Sequence, residues 1–388
     1  MAGRKQHYVP QFFQRGFGVP TPGKPKMIWV FQKGQQPALA EIKRTAREWD
    51  FYSQPAPNGS PTLDGKLTNL ETELARRVAE VRAIPAGESV NASVAASIVA
   101  HLAPRTSHIR ATFEHGMKGL LTGAIGALTD SDNVKRLLGL NGEAPSDRFL
   151  QNVSRTLKDD GRFGHLGLPE PVLEQMAFQL AKENFDQLFK VQLPTISSAL
   201  GSLISNAESL ARDGHNKALD SAIEKDVRQQ LLATFIWSVE AAPAVGAVLP
   251  DCVAVGVIGD QTNCPFMLAS NDELQAVVMP LSSRKLLVGR RSSAPFPDLS
   301  HINEDAIACS HTFYMAASDA GVLAELSPLI GCRSSALVDD VLEEALDEYR
   351  PKQAAAPLLE TSAAATIEGH GTEDTRVPDP PESQALNY

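Results

Sequence analysis

The sequence predicts an α+β protein in which an N-terminal ribbon and late antiparallel strands form a mixed sheet around a large helical insertion. Three observations indicate this class. Two strand candidates near the N-terminus have no local partner, a long middle stretch shows the apolar period of helices, and a run of short strand candidates follows it. Because a two-stranded ribbon alone is marginal in water, the early strands are expected to pair with the late ones.

The chain is expected to divide where this pattern changes. Residues 1–66 are expected to form a basic segment and the ribbon, and residues 67–244 the helical region. Residues 245–350 are expected to hold late strands and a C-terminal helix that pack with 1–66. Residues 351–388 combine Ala, Pro, Thr and acidic residues without an apolar period, which predicts a disordered acidic tail.

Each part contains elements that its local pattern predicts. The early strands, 27–32 and 38–45, flank a turn that contains Gly and Pro. From Leu67 onward, apolar residues recur every three or four positions. Later helices are predicted over 89–117, 132–140, 146–158, 170–190 and 216–240. Late strands are predicted over 252–258, 265–269, 274–281, 285–290 and 309–316, and an acidic-faced helix over 334–349.

Composition narrows the function classes. The 388 residues are 43% hydrophobic with a formal net charge of -10, which argues against a generally basic nucleic-acid coat. Residues 1–50 nevertheless hold nine basic and three acidic residues, so a phosphate-bearing ligand or nucleic acid would be drawn there. The four cysteines form no Cys-x-x-Cys pair, and no stretch resembles a signal peptide or a membrane span. We expect a cytoplasmic protein without a membrane partner.

The most informative motif surrounds His7. Pro10 biases the preceding Val9 toward an extended conformation, which aims His7 at the start of a short helix. With Val9 as an N-cap that lacks a side-chain acceptor, the first amides of that helix are open to an anion. His7 is then a candidate acid/base group, and Lys5, Gln11 and Arg15 are candidate binding residues. The alternative is that His7 only caps the helix.

A second motif lies on the helix predicted over 89–117. His101, Arg105, His108 and His115 recur at helical spacing and would share one face, flanked by Arg110. As a metal site the spacing is weak, and no metal is expected. The pattern fits a phosphate-binding face better than a metal site, because Pro104 predicts a kink that turns Arg105 toward a cleft. The alternative is a solvent-facing polar stripe.

A third motif follows a late strand candidate. Ser270 and Asp272 lie in a polar turn and would join His7 as catalytic residues if the ribbon packs on the late strands. The alternative is an ordinary β-turn. Neither a nucleophile elbow, a P-loop nor a Gly-x-Gly-x-x-Gly pattern is present.

These motifs together resemble a family known as domain of unknown function 4238, from bacteria and some fungi. The resemblance spans about residues 4–317. It implies a shared architecture and a set of site positions, headed by His7, Gln11, Arg105, Arg110 and Ser270. The motifs that carry it are His7-Tyr8-Val9-Pro10-Gln11 with Phe17, Glu48-Trp49-Asp50-Phe51-Tyr52, Glu71 and Glu73, Ala100-His101-Leu102 with Arg105 and Arg110, and 267–271.

The late motif departs from that family. There the strand ends in Ser-Asp-Asn-Pro, whereas this chain has Ser270-Asn271-Asp272-Glu273. Moving the acidic residue by one position turns it to the opposite face of a strand, although a bulge or turn restores its direction. The family name supplies no reaction.

The residues leave three functions open. The first is an enzyme that acts on a phosphate-bearing substrate, RNA or a nucleotide, with His7 as acid/base and Arg105 holding phosphate. The second is a binding or regulatory module that recognises an anion or nucleic acid without turnover. The third is an interaction scaffold with structural histidines. Catalysis requires a second acid/base group within hydrogen-bond reach, whereas binding requires only donors. The cofactor and the oligomeric state are unknown.

Overall fold

The structure is a computed structural model. The described residues all lie within one compact unit of the chain, Met1–Pro351. The predicted acidic tail, 351–388, lies outside the described residues. None of the helices among the described residues combines the length and apolar character that a membrane span needs. The described residues are 5–20, 22–52, 62–159, 167–224, 227–259 and 261–347.

Helices fill the region between the early and late strands, and the chain is α+β as predicted. In chain order the helices are α1 (Gln11–Gln14), α2 (Leu63–Ala83), α3 (Ala92–Leu102), α4 (Ser107–Thr129), α5 (Ser131–Leu137), α6 (Asp147–Asp159), α7 (Glu170–Ser205), α8 (Ala207–Glu224), α9 (Val227–Leu232), α10 (Ile302–Cys309), α11 (Gly321–Glu325) and α12 (Cys332–Asp347).

The strands are short, and every pairing among the described strands is antiparallel. In chain order the strands are β1 (Lys5–His7), β2 (Met27–Gln32), β3 (Ala38–Glu41), β4 (Arg47–Trp49), β5 (Ser89–Val90), β6 (Ile236–Ala241), β7 (Leu249–Pro250), β8 (Val255–Ile258), β9 (Thr262–Pro265), β10 (Leu274–Ser282), β11 (Lys285–Arg290) and β12 (Phe313–Ala316).

A four-stranded sheet joins the two ends of the described chain, in the order β3-β2-β12-β7. Strand β2 pairs with β12 along four residues, which sets Phe31 opposite Tyr314. Their rings stack at a centroid distance of 4.7 Å and an interplanar angle of 7°. The predicted pairing of the early ribbon with a late strand is thereby confirmed.

The other late strands belong to a separate six-stranded sheet, ordered β5-β6-β11-β10-β8-β9. The expected single sheet is therefore divided. Strand β10 explains the division, because seven of its nine residues are buried and it pairs on both edges, with β8 and β11. A strand covered on both faces needs layers of its own, and helices such as α2 and α3 pack against it and its neighbours.

Strand β6 corrects the helix predicted over 216–240. The helices end at Leu232, and Ile236–Ala241 pairs with β11. Trp237 and Val239 are buried, whereas the residues between and beside them are half-buried or exposed, which is the two-residue period of a strand. Ile236, Trp237 and Val239 favour a strand, and pairing with the buried β11 supplies the partner that the strand requires.

The helix predicted over 89–117 is also divided. Helix α3 ends at Leu102, a 3-10 turn covers Ala103–Arg105, and α4 begins at Ser107. Pro104 causes the break, because its ring and missing N–H disrupt the helical hydrogen bonds. The break is larger than the expected kink. It turns the residues after it in a new direction and thereby places the candidate site.

The N-terminal segment is part of the main core. Val9, Phe13 and Phe17 are fully buried and belong to the same apolar cluster as Trp237 and residues of β10 and β11. Arg82 ties the segment down, since its guanidinium donates to the carbonyls of Phe12, Phe13 and Leu281. Segment 5–17 is therefore fixed in place.

We expect Gly289→Ala to destabilise the protein. Gly289 lies opposite Trp237 in the β6–β11 pair, and a Cβ at this position would lie 2.5 Å from the indole ring. Overpacking of this kind lowers the free energy of unfolding by about 1–3 kcal/mol. Guanidinium denaturation measures the change. Gly321→Ala is the control, because no atom lies within 4 Å of its added Cβ. Equal midpoints for the two variants would contradict this packing.

Candidate functional site

His7 is placed by the β1–β4 ribbon and by Pro10. Strand β1 pairs with β4, which sets His7 opposite Arg47. Pro10 is extended, at φ -61° and ψ 143°, and it is the N-cap of α1 in place of the expected Val9. Helix α1 has only four residues, so its N-terminus supplies little of the dipole that the expected anion site requires.

Both ring nitrogens of His7 have partners. Nδ1 lies 3.0 Å from the backbone oxygen of Thr45, and Nε2 lies 3.1 Å from Nε2 of Gln11. This pattern fits a neutral ring that donates from Nδ1 and accepts at Nε2. Burial lowers the pKa of His7, and Arg47 lowers it further, against the opposing effect of the Thr45 carbonyl. His7 is therefore a neutral group at pH 7 with its lone pair on Nε2.

Gln14 holds the other side of this arrangement. Its Nε2 donates to the Val9 carbonyl at 2.7 Å, and its Oε1 accepts from the Thr45 hydroxyl at 3.0 Å. Gln14 is fully buried. The structure thus brings together His7 and Gln11, as expected, and adds Thr45 and Gln14, which the sequence did not single out.

Arg105 is buried rather than presented on a surface face. It ends the 3-10 turn after α3, is 2% exposed, and pairs through Nη2 with Glu71 of α2. Its carbonyl accepts from the Tyr52 hydroxyl at 2.9 Å, and its guanidinium lies over the Tyr52 ring. The backbone N–H of Tyr52 in turn donates to Gln6 in β1 at 2.6 Å. These bonds connect Arg105 to the strand that carries His7.

Arg110 lies in the first turns of α4 and is 7% exposed. Its guanidinium stacks 3.6 Å above the Phe51 ring and donates to the Phe51 carbonyl at 2.8 Å. It also donates to Asn216 of α8 at 3.3 Å, and Glu48 lies 3.8 Å away. Burial lowers the pKa of Arg110, but the nearby Glu48 charge opposes this effect.

The arginine pair, Arg105 and Arg110, retains unused donors. Nε and Nη1 of both groups make no hydrogen bond to any described residue, although both side chains are buried. A buried charged donor without an acceptor is costly. Water or a ligand oxygen is the ordinary acceptor in this situation. The partner carboxylates of Glu71 and Glu48 are 36% and 53% exposed, so solvent reaches the outer side of both pairs.

His7 and the arginine pair share one electrostatic environment. The charge of Glu71, the partner of Arg105, raises the pKa of His7 against the larger effect of burial. Both arginines act on Tyr52, whose pKa burial raises. Tyr8, which follows His7, connects this segment to α4, because its hydroxyl forms a hydrogen bond with Ser107 at the start of that helix. Burial raises the pKa of Tyr8 to about 12, so it is a neutral donor.

The histidine stripe expected on one helix does not form. The break at Pro104 separates His101 from the rest. His108 is 1% exposed and makes no well-formed hydrogen bond, although the Cys309 carbonyl lies near it. His115 is exposed and pairs with Asp339 of α12 at 2.9 Å. The sequence predicted that His108 lies either on a phosphate-binding face shared with the other histidines or on a solvent-facing stripe. Both predictions are wrong for His108, because a distant segment buries it.

His108 lies instead in a second buried polar group. Its ring meets that of His311 edge-on at 6.0 Å, and the Asp251 charge acts on it. Asp251 is fully buried and accepts from His311 N, Thr312 N and Oγ1, and Phe313 N, so it orders the start of β12. This group supports the fold where α4 meets the four-stranded sheet.

Ser270 and Asp272 lie on an exposed turn before β10. The turn is held by the Leu274 N–H on the Ser270 carbonyl and by Arg228, which donates to Asn271 and Ala269. No described hydrogen bond or ion pair joins either residue to His7. The structure therefore does not bring these two together with His7, and their catalytic assignment stays a prediction.

Lys5 and Arg15 occupy the edges of the segment. Lys5 is exposed and its ammonium lies 4.4 Å from the centroid of the Trp49 ring, its partner in the β1–β4 ribbon. Arg15 is half-buried in the 3-10 turn after α1. The described contacts join neither residue to His7, so their binding role also stays a prediction.

A comparison with protein-family models finds a match in the N-terminal part. The model described as protein of unknown function (DUF4238) matches residues 5–118, which we call the DUF4238 segment. This segment is similar to that family. The suspected resemblance is thus confirmed over these residues, which include His7, Gln11 and the arginine pair. No curated protein and no solved structure matches the chain.

The DUF4238 segment contains most of the site, and later elements complete it. Tyr52 and Glu71 were visible only as parts of the family motifs, which attach no role to them. Asn216 and His215 come from α8, and Nε2 of His215 donates to the Pro104 carbonyl at 2.7 Å. No sequence signal pointed to these two, because nothing in a helical stretch shows that it covers a segment about one hundred residues earlier. Among the described residues, no group of His, Cys, Asp or Glu is placed to hold a metal ion.

We expect the protein to lose stability as the pH falls from 6.5 toward 4. Burial lowers the pKa of His108 to about 4, whereas an unfolded histidine titrates near 6.5. Between these values the unfolded state binds the proton first, so His108 contributes roughly 3 kcal/mol of stability above pH 6.5 that is lost toward pH 4. His215, whose pKa burial also lowers to about 4, adds to the decline of the parent. His108→Asn should reduce this pH dependence in guanidinium denaturation. His115→Asn is the control and should keep the parent slope. If the free energy of unfolding of His108→Asn depended on pH as strongly as that of the parent, the burial of a neutral His108 ring would be contradicted.

Proposed function

We propose that the protein is an enzyme that acts on a phosphate-bearing substrate, RNA or a nucleotide, with His7 as general base and the arginine pair as the phosphate-binding groups. One observation carries this proposal. Four donor nitrogens, Nε and Nη1 of Arg105 and Arg110, make no hydrogen bond among the described residues although both side chains are buried, and Glu48 comes only within 3.8 Å of Nη1 of Arg110. Phosphate oxygens are the acceptors that guanidinium groups bind best.

The neutral state of His7 supports a role in proton transfer. Burial lowers its pKa, so at pH 7 the ring holds no second proton, and Nε2 carries the lone pair. The Thr45 carbonyl fixes the opposite nitrogen as the donor and thereby orients the ring. A substrate hydroxyl or water that displaces the Gln11 amide from Nε2 would meet a base able to accept its proton.

The proposed reaction is hydrolysis of a phosphate ester. Water attacks phosphorus, its proton passes to Nε2 of His7, and the P–O bond to the leaving group breaks. The leaving oxygen then takes a proton from solvent or from the imidazolium. The arginine pair stabilises the negative charge on the equatorial phosphate oxygens, where charge accumulates in the transition state. Glu71 and Glu48 limit the net positive charge until the anion arrives.

A specific observation favours a second candidate, an anion-binding module without turnover. Both ring nitrogens of His7 are already engaged, one by a backbone carbonyl and one by Gln11. A histidine held on both sides is a good structural element. In that case the arginine pair binds the anion and His7 only maintains the ribbon.

We expect His7→Gln to lower phosphate-ester hydrolysis by about 10²- to 10⁴-fold, because general-base catalysis contributes that much. The assay incubates the purified full chain with total RNA and, separately, with the four nucleoside triphosphates, and follows products by chromatography. His115→Gln is the matched control and should retain parent activity. Unchanged turnover in His7→Gln would remove His7 from the reaction.

The two candidates separate in a binding measurement. Calorimetric titration with inorganic phosphate and with a nucleoside monophosphate tests the arginine pair in a variant that keeps the charge, Arg110→Lys, with Arg76→Lys on the surface of α2 as control. Anion binding that Arg110→Lys weakens, without any turnover by the parent, indicates the binding module. Absence of both binding and turnover in a folded parent would overturn both.

The pH profile of hydrolysis should follow His7. Burial lowers the pKa of His7 below 6.5, so the ring stays mostly unprotonated between pH 8 and pH 6.5. The rate of hydrolysis should therefore be constant over this range. Below it the rate falls as the ring gains a proton, with a midpoint under pH 6.5. Circular dichroism at each pH separates this loss from unfolding. A midpoint above pH 7 would contradict the assignment of a neutral His7 as base.

A further inference from the structure

An apolar cleft lies among the helices that follow the DUF4238 segment. Its volume is about 880 Å³, and helices α4, α5, α6, α7 and α12 each contribute to its wall. The wall is formed almost entirely by aliphatic and aromatic side chains, among them Leu120, Leu137, Phe149, Leu173 and Leu346. The cleft shares no lining residue with the candidate site around His7 and the arginine pair.

Among the described lining residues, the polar ones lie together at one side of the cleft, on α6. Asn152 and Thr156 are one turn apart, and both are exposed. The guanidinium of Arg155 donates from Nη2 to Oδ1 of Asn152 at 3.0 Å. This bond places the Arg155 guanidinium next to the polar side of the cleft, although Arg155 is not itself a lining residue. The cleft thus has an apolar interior and one cation next to its polar side.

Water is a poor occupant of this space. An ordered water needs two to four polar partners, and among the described lining side chains only Asn152 and Thr156, at one side of the cleft, offer any. The volume falls in the range of pockets that bind small molecules. The helices present further apolar surface at the opening, since Met176 and Leu180 on α7 are 49% and 57% exposed. A chain-like apolar ligand would cover these side chains as well.

We propose that this cleft binds a fatty carboxylate, with the aliphatic chain in the interior and the carboxylate on Arg155. The charge at the rim decides between head groups. A guanidinium pairs with a carboxylate through parallel N–H···O bonds, whereas it repels an ammonium and offers an alcohol only a single neutral acceptor. Chain length sets the strength of binding, because each methylene removed from water adds about the same free energy.

The first test is calorimetric titration of the full chain with dodecanoate below its micellar concentration. Dodecanoate should bind saturably with one site per chain, and decanoate about tenfold more weakly, as two fewer methylenes predict. Dodecanol should bind about fivefold more weakly than dodecanoate, and dodecylammonium weaker still. Absence of saturable dodecanoate binding, or equal binding of all three head groups, would overturn the proposal.

Variants locate the binding. Arg155→Gln should reduce the affinity for dodecanoate about fivefold and leave that for dodecanol unchanged, whereas the control Arg212→Gln on the exposed surface of α8 should change neither. Ala124→Phe fills part of the cleft and should abolish binding of both ligands, with circular dichroism confirming the fold. Dodecanoate binding that persists in Ala124→Phe would overturn the assignment to this cleft.

Sedimentation of the ligand-free chain tests the remaining alternative. If the cleft is instead covered by a second copy, the chain should dimerise, and Leu180→Asp should return it to a monomer without any fatty carboxylate binding in the parent. That outcome would overturn the proposal. A parent that is monomeric and binds dodecanoate supports it. Neither result depends on the proposed hydrolysis at His7.

Discussion

The antiparallel pairing of β2 with β12 connects segments almost three hundred residues apart, and much of the described structure depends on it. Phe31 and Tyr314 stack across this pair, and buried Asp251 orders the backbone that leads into β12. Closing so long a loop costs chain entropy, which the four-stranded sheet and its buried aromatic rings offset. Once it is closed, the helical region is held between the early and late strands, and α4 and α8 are brought against the N-terminal ribbon.

Burial of charge is the second constraint on this architecture. The arginine pair lies where α4 begins, α8 covers it, and Phe51 and Tyr52 pack beneath it. Each arginine has a carboxylate partner at its outer side, which reduces the cost of placing a cation in the interior. The remaining donors are a local violation of the rule that buried polar groups are paired, and such violations concentrate where proteins bind ligands. His7 is linked to this pair through Glu71, whose charge acts on His7 and which pairs with Arg105.

Local pattern predicted those parts of the fold and site that depend on near neighbours in the chain. The amphipathic period from Leu67 and the short apolar runs of β10 and β11 predicted elements that the structure contains. The proximity of His7 and Gln11 followed from one turn of backbone after Pro10. Prediction failed where a distant segment decided the outcome. The segment 236–241 became a strand because β11 was available to pair with it, and His108 became buried because residues near 311 cover it.

The sequence by itself determined the fold class, a change of direction at Pro104 and the similarity of residues 5–118 to the DUF4238 family. These features depend on residue type and spacing over a few turns, which the chain carries in any context. Only the tertiary structure decided that Arg105 and Arg110 are buried with unused donors, that Glu71, Tyr52 and Asn216 surround them, and that Ser270 and Asp272 lie on an exposed turn. Burial and charge pairing are properties of what packs on a residue, and the partners here come from helices and strands far away in the chain.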